Sequence, residues 1–232
     1  MQKRTFDDFD AFAPSYRDTH NVNIKISGAD SAYFAEMKVK LLSKQEINTN
    51  LNFLDIGCGD GLTEVYVKKV FSQWTITGID VSVLSIAEAT NRNITDVNFA
   101  TYNGHNIPLE CDSVDVIFMA GVLHHVDKAL HHNLLMEAKR VMKPGGRMYL
   151  FEHNPLNPLT RYLVNTCVFD KDAKLLWNNN ALSLFARVGL SVVSNQFIIF
   201  FPRHRFFKFL LRLEKHLKWL PLGGQYVIIA IK

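Results

Sequence analysis

Cysteine is scarce in this chain. Its 232 residues hold three, Cys58, Cys111 and Cys167, widely spaced and odd in number, which excludes a disulfide framework and a paired Cys-x-x-Cys metal site. A reducing cytoplasm fits that scarcity. No apolar run approaches the ~20 residues that cross a bilayer, and the opening stretch Met1–Asp8 lacks the apolar core of a secretion signal, so a soluble protein is expected. No histidine pair stands at i, i+4: His131 and His132 are adjacent, point to different sides of a helix, and suggest no metal. An overall excess of one charge is also missing. Of 26 basic and 22 acidic residues, six basic residues and a single acid, Glu214, fall between Arg203 and Lys218; the remaining 20 basic and 21 acidic nearly cancel. A generally basic nucleic-acid binder is therefore excluded.

What is present begins with 48% hydrophobic residues, enough in a chain of this length to bury the core of one α/β domain. The most informative stretch is Phe53-Leu54-Asp55-Ile56-Gly57-Cys58-Gly59-Asp60-Gly61, an apolar strand running through three alternate glycines. Glycine tolerates positive φ and lets backbone approach a ligand, and a following helix offers free N–H groups; this is a nucleotide-binding turn. Its spacing is G-x-G-x-G, and Leu62 stands where the dinucleotide fingerprint G-x-G-x-x-G needs its third glycine, which argues against a nicotinamide dehydrogenase.

Strands are expected near 51–56, 74–79, 97–101, 114–119 and 146–152. Helices are expected over Leu62–Phe71, Ser82–Asn91 and His132–Met142, the last ended by Lys143-Pro144-Gly145-Gly146. Alternating strand and helix implies a parallel sheet with right-handed crossovers and a ligand at the strands' carboxyl ends.

The turn resembles motif I of the class I S-adenosylmethionine-dependent methyltransferases of the small-molecule, type 11-like kind. The resemblance continues in order over roughly residues 50–152: Asp80 after the second strand, then Asn103-Gly104-His105-Asn106-Ile107-Pro108-Leu109, Asp112–Ile117, Val122-Leu123-His124-His125-Val126, and Arg140–Arg147. It implies a doubly wound, mostly parallel seven-stranded Rossmann-like sheet with its last strand antiparallel, Leu190–Phe201 and Tyr226–Ile231 being the final two strands. One domain is expected: a lid and helix over 1–48, a cofactor core over 50–152, and substrate-side or covering elements over 153–180 and 202–221.

The resemblance implies S-adenosylmethionine as cofactor. Gly57, Cys58 and Gly59 would approach its methionine and ribose parts, Asp80 its ribose hydroxyls, Val81 its adenine and Asp55 its amino group. Ala120 would contribute a carbonyl. Asn103 stands where the family often has an acid reaching the adenine, so Gly104 and His105 share that role. Gly121-Val122-Leu123-His124 replaces the Asn/Asp-Pro-Pro-Tyr string of methyltransferases acting on nucleic-acid amines. A small-molecule, sugar or lipid-linked acceptor is thus expected, methylated on oxygen. Two rival readings stand beside it: a noncatalytic cofactor-fold partner protein, and a nucleic-acid methyltransferase.

Three regions outside the core would choose the acceptor. The leader Phe6–Tyr16, continuing through Ser27–Phe34 into a helix to about Leu42, resembles an aromatic lid, with Tyr16 against the cofactor; the plainer alternative packs Tyr33, Phe34, Met37 and Leu41 on the sheet. Glu152–Arg161 follows a central strand and carries His153. A hydroxyl acceptor needs a base, for which His153, His125 and His124 are the candidates, although Glu152 and His153 could instead satisfy a local turn. Finally, residues 203–220 read as a basic amphipathic helix, with Phe206, Phe209, Leu210, Leu213, Leu217 and Leu220 on one stripe. It is either a solvated cover or a peripheral contact with the inner membrane surface.

Overall fold

The computed structural model describes residue 10, residues 16–170 and residues 172–232. Seven strands form one sheet: β1 (Asn52–Ile56), β2 (Thr75–Asp80), β3 (Val97–Thr101), β4 (Val114–Ala120), β5 (Met142–His153), β6 (Ser191–Ile198) and β7 (Gln225–Ile231). Their order is β3-β2-β1-β4-β5-β7-β6. β1 to β5 pair in parallel, and β7 runs antiparallel to both β5 and β6. This is the doubly wound mixed sheet that the family resemblance implied.

Each strand sends alternate residues to opposite faces, and two apolar layers result. Leu54, Ile56, Ile117, Met119, Met148 and Leu150 meet α5 (His131–Val141) and α7 (Asn178–Arg187) through Leu134, Leu135, Leu184 and Phe185. Phe53, Val116, Phe118, Tyr149 and Phe151 meet α2 (Ser31–Leu42) and α3 (Leu62–Val70) through Val39, Leu42 and Val67. The central strands are covered on both faces, which explains why they read as continuous apolar runs.

Local chemistry sets the helix starts. Asp30 caps α2 by accepting from Tyr33 N–H at 2.8 Å. Ser82 caps α4 (Val83–Asn91) by accepting from Ser85 N–H at 3.0 Å. Asn157 caps α6 (Pro158–Thr166) by accepting from Thr160 N–H at 2.9 Å, with Pro158 in the first turn, where its missing N–H costs nothing. The remaining named helices among the described residues are α1 (Tyr16–Ile24) and α8 (Glu214–Leu217). Most of the leader, including 6–9 and 11–15, lies outside the described residues, as does the Tyr16 side chain.

The basic segment departs from expectation. In place of one helix over 203–220 stand short 3-10 turns at Arg205–Phe207 and Leu210–Leu213, followed by α8. Glu214 accounts for the break: its carboxylate turns back onto the β6 exit and accepts from Phe200 and Phe201 N–H at 3.1 and 3.2 Å and from Arg203. A 3-10 turn has three residues per turn instead of 3.6, so the inward face rotates. Phe207, Leu210, Leu211 and Leu217 are half-buried, while Phe206, Phe209 and Leu213 of the expected apolar stripe face water.

The close approach of β2 and β3 leaves no room at Gly78, where a Cβ would lie 2.8 Å from Phe99 Cδ1 and 3.0 Å from Cys58 Cβ. Gly78→Ala is expected to cost about 1–3 kcal/mol of stability through overpacking. Urea unfolding followed by circular dichroism measures it.

Candidate active site

β1 lies beside both β2 and β4, and the chain winds outward from it in both directions. The carboxyl ends of these strands therefore flank a crevice. The turn leaving β1 has all three glycines at positive φ: 81° at Gly57, 56° at Gly59 and 75° at Gly61. Gly57 and Cys58 N–H donate to Ile79 C=O at 2.7 and 3.1 Å. A Cβ on Gly57 would lie 2.4 Å from Val122 Cγ2, so only glycine keeps the turn against the β4 exit.

Asp80 pins this turn. Its Oδ2 accepts from Gly59 N–H and its Oδ1 from Ser82 N–H, both at 2.9 Å. Burial pushes its carboxyl above the usual range, against the pull of these donors. Asp60, one step along, forms ion pairs with Arg17 and Arg92, which hold its carboxyl below the ordinary value despite burial. Asp10 Oδ1 accepts from Ser82 Oγ–H at 2.6 Å and Leu84 N–H at 3.1 Å, tying the leader to the start of α4.

Beside the turn opens a cavity of about 800 Å³. It brings together most of the residues expected of the site: Asp55, Gly57, Cys58, Gly59, Asp80, Val81, Gly104, His105, Ala120, His124, His125 and His153 all line it. Asn103 is the exception. Its Oδ1 accepts from His105 and Asn106 N–H at 2.9 and 2.8 Å, and the exposed side chain is spent on shaping its own loop. Tyr102, which the sequence reading passed over, lines the cavity instead.

At the acceptor end lies a cluster of charge. Glu152, 1% exposed at the end of β5, accepts from Leu123 N–H at 2.8 Å and pairs with His124 Nδ1 at 2.6 Å. His124 Nε2 lies 3.7 Å and His125 Nε2 3.3 Å from Asp170 Oδ1. Although burial disfavours its charge, the carboxylates of Glu152 and Asp170 raise His124 to about 10, so it is an imidazolium at neutral pH. Burial, then the His124 charge, lowers His125 and brings His153 down to about 4. The His153 ring sits 5.1 Å from that of His124, centroid to centroid.

His124, His125 and Asp170 thus offer atoms all within 4.8 Å of one another, a metal-compatible spacing that sequence separation hid. In this arrangement the imidazolium itself supplies the positive charge between the two carboxylates. Asp170 could not be singled out from the sequence, because 46 positions separate it from His124 and only the fold joins them.

Nor did the sequence reading single out Lys38 or Glu64. Lys38, on α2, lines the cavity; burial lowers it to about 8 against the attraction of Asp55 and Glu152. Asp55 and Glu64 are buried with their carboxyls set against one another. Burial pushes Asp55 up to about 7, and burial with the adjacent Asp55 carboxyl pushes Glu64 well above its ordinary value.

Comparison with known proteins bears on this site. Residues 54–150 match the family described as a methyltransferase domain. The chain is 29% identical over 146 residues to demethylmenaquinone methyltransferase of Tropheryma whipplei, a match covering 62% of this chain and 56% of that protein. It is 31% identical over 102 residues to 27-O-demethylrifamycin SV methyltransferase of Amycolatopsis mediterranei, covering 42% and 36%. The matched stretches span 29% to 56% of the first curated relatives. Among solved structures, an S-adenosylmethionine-dependent methyltransferase from Thermotoga maritima shares the fold, with TM-score 0.70, 20% identity, and coverage of 98% and 100%.

Glu152→Gln keeps the shape of the cluster and removes one of the two charges beside His124. It is expected to cost about 3 kcal/mol at pH 7, the scale for breaking a buried pair. Because the folded pKa of His124 is raised to about 10, the pair's contribution is complete below the free-histidine value and fades as pH rises toward 10. Urea unfolding at stepped pH should show the gap between variant and parent shrinking over that range.

Proposed function

We propose that this chain, whose residues 54–150 match a methyltransferase domain, is a class I S-adenosylmethionine-dependent methyltransferase that transfers a methyl group to an oxygen of a small-molecule, sugar or lipid-linked acceptor. The observation that carries this reading is the single cavity shared by the glycine turn, Asp80 and the neutral His153.

The residues present suit the cofactor. Asp55, a buried carboxyl at the cavity wall, is an acceptor suited to an ammonium group. Lys38 supplies a half-buried cation at the cavity wall suited to a carboxylate. Bare glycine at Gly59, where a Cβ would meet nothing within 4 Å, leaves backbone open to the ligand. Asp80 remains the candidate for the ribose hydroxyls, since its carboxylate keeps acceptor capacity beyond the backbone N–H groups it already takes. When bound, S-adenosylmethionine supplies a sulfonium methyl already activated for displacement.

The chain's own work is then to align, exclude water and move one proton. The acceptor hydroxyl would lie against His153, whose imidazole is uncharged at neutral pH and can take the proton as the oxygen lone pair forms its new bond to carbon. His124, held charged and rigid by Glu152 and Asp170, is already an acid and cannot be that base. Its positive charge also favours the developing oxyanion. The demethylmenaquinone and demethylrifamycin relatives support an acceptor of the small-molecule or lipid class.

Calorimetric titration with S-adenosylhomocysteine should show binding, and Asp80→Asn should weaken it about tenfold or more; absence of heat with the parent protein would point to a noncatalytic scaffold. His153→Ala should leave that affinity within about threefold and lower kcat about 100-fold, the scale of a lost general base. Parent activity should fall as pH drops toward 4, where His153 gains a proton. A His153→Ala enzyme with full turnover would assign proton removal elsewhere.

A further inference from the structure

The segment from 205 to 222 is unlike the rest of the surface. Arg203 is taken up by Glu214, its Nη2 donating to Oε2 at 3.0 Å, and those two charges cancel. Arg205, Lys208, Arg212, Lys215 and Lys218 are all exposed, and their side chains form no ion pair among the described residues. Five uncompensated cations thus sit on a chain whose remaining charge nearly sums to zero. Interleaved with them are large apolar side chains turned to water: Phe206 is 79% exposed, Phe209 65% and Trp219 75%, with Leu213 and Leu222 about half exposed.

A solvated covering element requires the cations and gains nothing from the exposed aromatics. A nucleic acid would satisfy the cations and could stack the aromatic rings, but Leu213 and Leu222 have no such use, and outside 203–218 the chain's other 20 basic and 21 acidic residues nearly cancel. An anionic lipid interface supplies phosphates and an apolar phase in one plane, with Phe and Trp rings at the boundary. No helix of the described residues is long and apolar enough to cross a membrane, so the contact is peripheral.

We propose that residues 205–222 form a docking surface for an anionic membrane. Phe206, Phe209, Leu213, Trp219 and Leu222 enter the headgroup–acyl boundary, and the five cations lie against lipid phosphates. Phe201, Pro202 and Arg203, which lead into the segment, line the cavity. Docking therefore sets the cavity rim at the bilayer, where an amphiphilic acceptor can enter without crossing water. This last consequence rests on the proposed methyl transfer; the docking does not.

The test is co-sedimentation of the full chain with vesicles of equal parts phosphatidylglycerol and phosphatidylcholine, against phosphatidylcholine alone. Binding to the anionic vesicles should be tighter by about tenfold or more and should weaken with added salt. Two triple variants, Phe206→Ser with Phe209→Ser and Trp219→Ser, and Lys208→Gln with Arg212→Gln and Lys215→Gln, should each lose about tenfold or more. Their circular dichroism and S-adenosylhomocysteine titration should match the parent, because all six side chains are exposed. Absence of vesicle binding, vesicle binding by either variant as tight as the parent's, a dimer abolished by the aromatic variant, or tighter binding to single-stranded RNA than to vesicles would each overturn the proposal. Vesicle binding and cofactor heat are separate readouts, so failure of one leaves the other legible.

Discussion

The clamp between the first two strands underlies everything else in this molecule. Ile79 C=O takes the N–H groups of Gly57 and Cys58, and the Asp80 carboxylate takes those of Gly59 and Ser82. Four backbone donors are thereby satisfied by two consecutive residues at the end of β2. Buried donors must find acceptors, so the turn has one available shape. That shape bares the backbone at Gly57 and Gly59 and opens the cavity between β1 and β4.

A second clamp governs the other end of the cavity. Glu152 leaves β5 and joins the loop after β4 through Leu123 and His124, while Asp170 approaches the same imidazole from beyond α6. Burial and the charge so fixed on His124 depress its neighbours, so of three histidines that look alike in sequence one is held charged and the other two are pushed toward the neutral form. One cavity therefore has a carboxylate-rich end beside the glycine turn and an imidazole-rich end beside His153. Division of this kind suits a reaction in which a charged donor must meet a protonated acceptor.

Much of the sheet was legible from periodicity. The run at 97–101 coincides with β3, and those at 51–56, 74–79 and 114–119 fall within one residue of β1, β2 and β4 at each end, because buried parallel strands are short apolar runs bounded by turns. The basic segment was misread as a single helix. Its apolar spacing is compatible with 3.6 residues per turn, but Glu214 holds it to the β6 exit and forces 3-10 turns. Asn103, expected at the adenine from its position in a motif, uses its Oδ1 to close a turn on its own backbone, a use that asparagine favours in loops.

By itself, the sequence determined where the core strands lie along the chain, the glycine turn and its acidic partner Asp80, since these depend on neighbours a few residues away or on a repeating apolar pattern. Only the tertiary structure decided which histidine is charged, that Asp170 and Lys38 belong to the cavity, and which face of 205–222 meets water. Those properties arise from electrostatics and burial among residues far apart in the chain, and a carboxylate's effect on an imidazole depends on ångströms in space, which spacing along the chain does not encode.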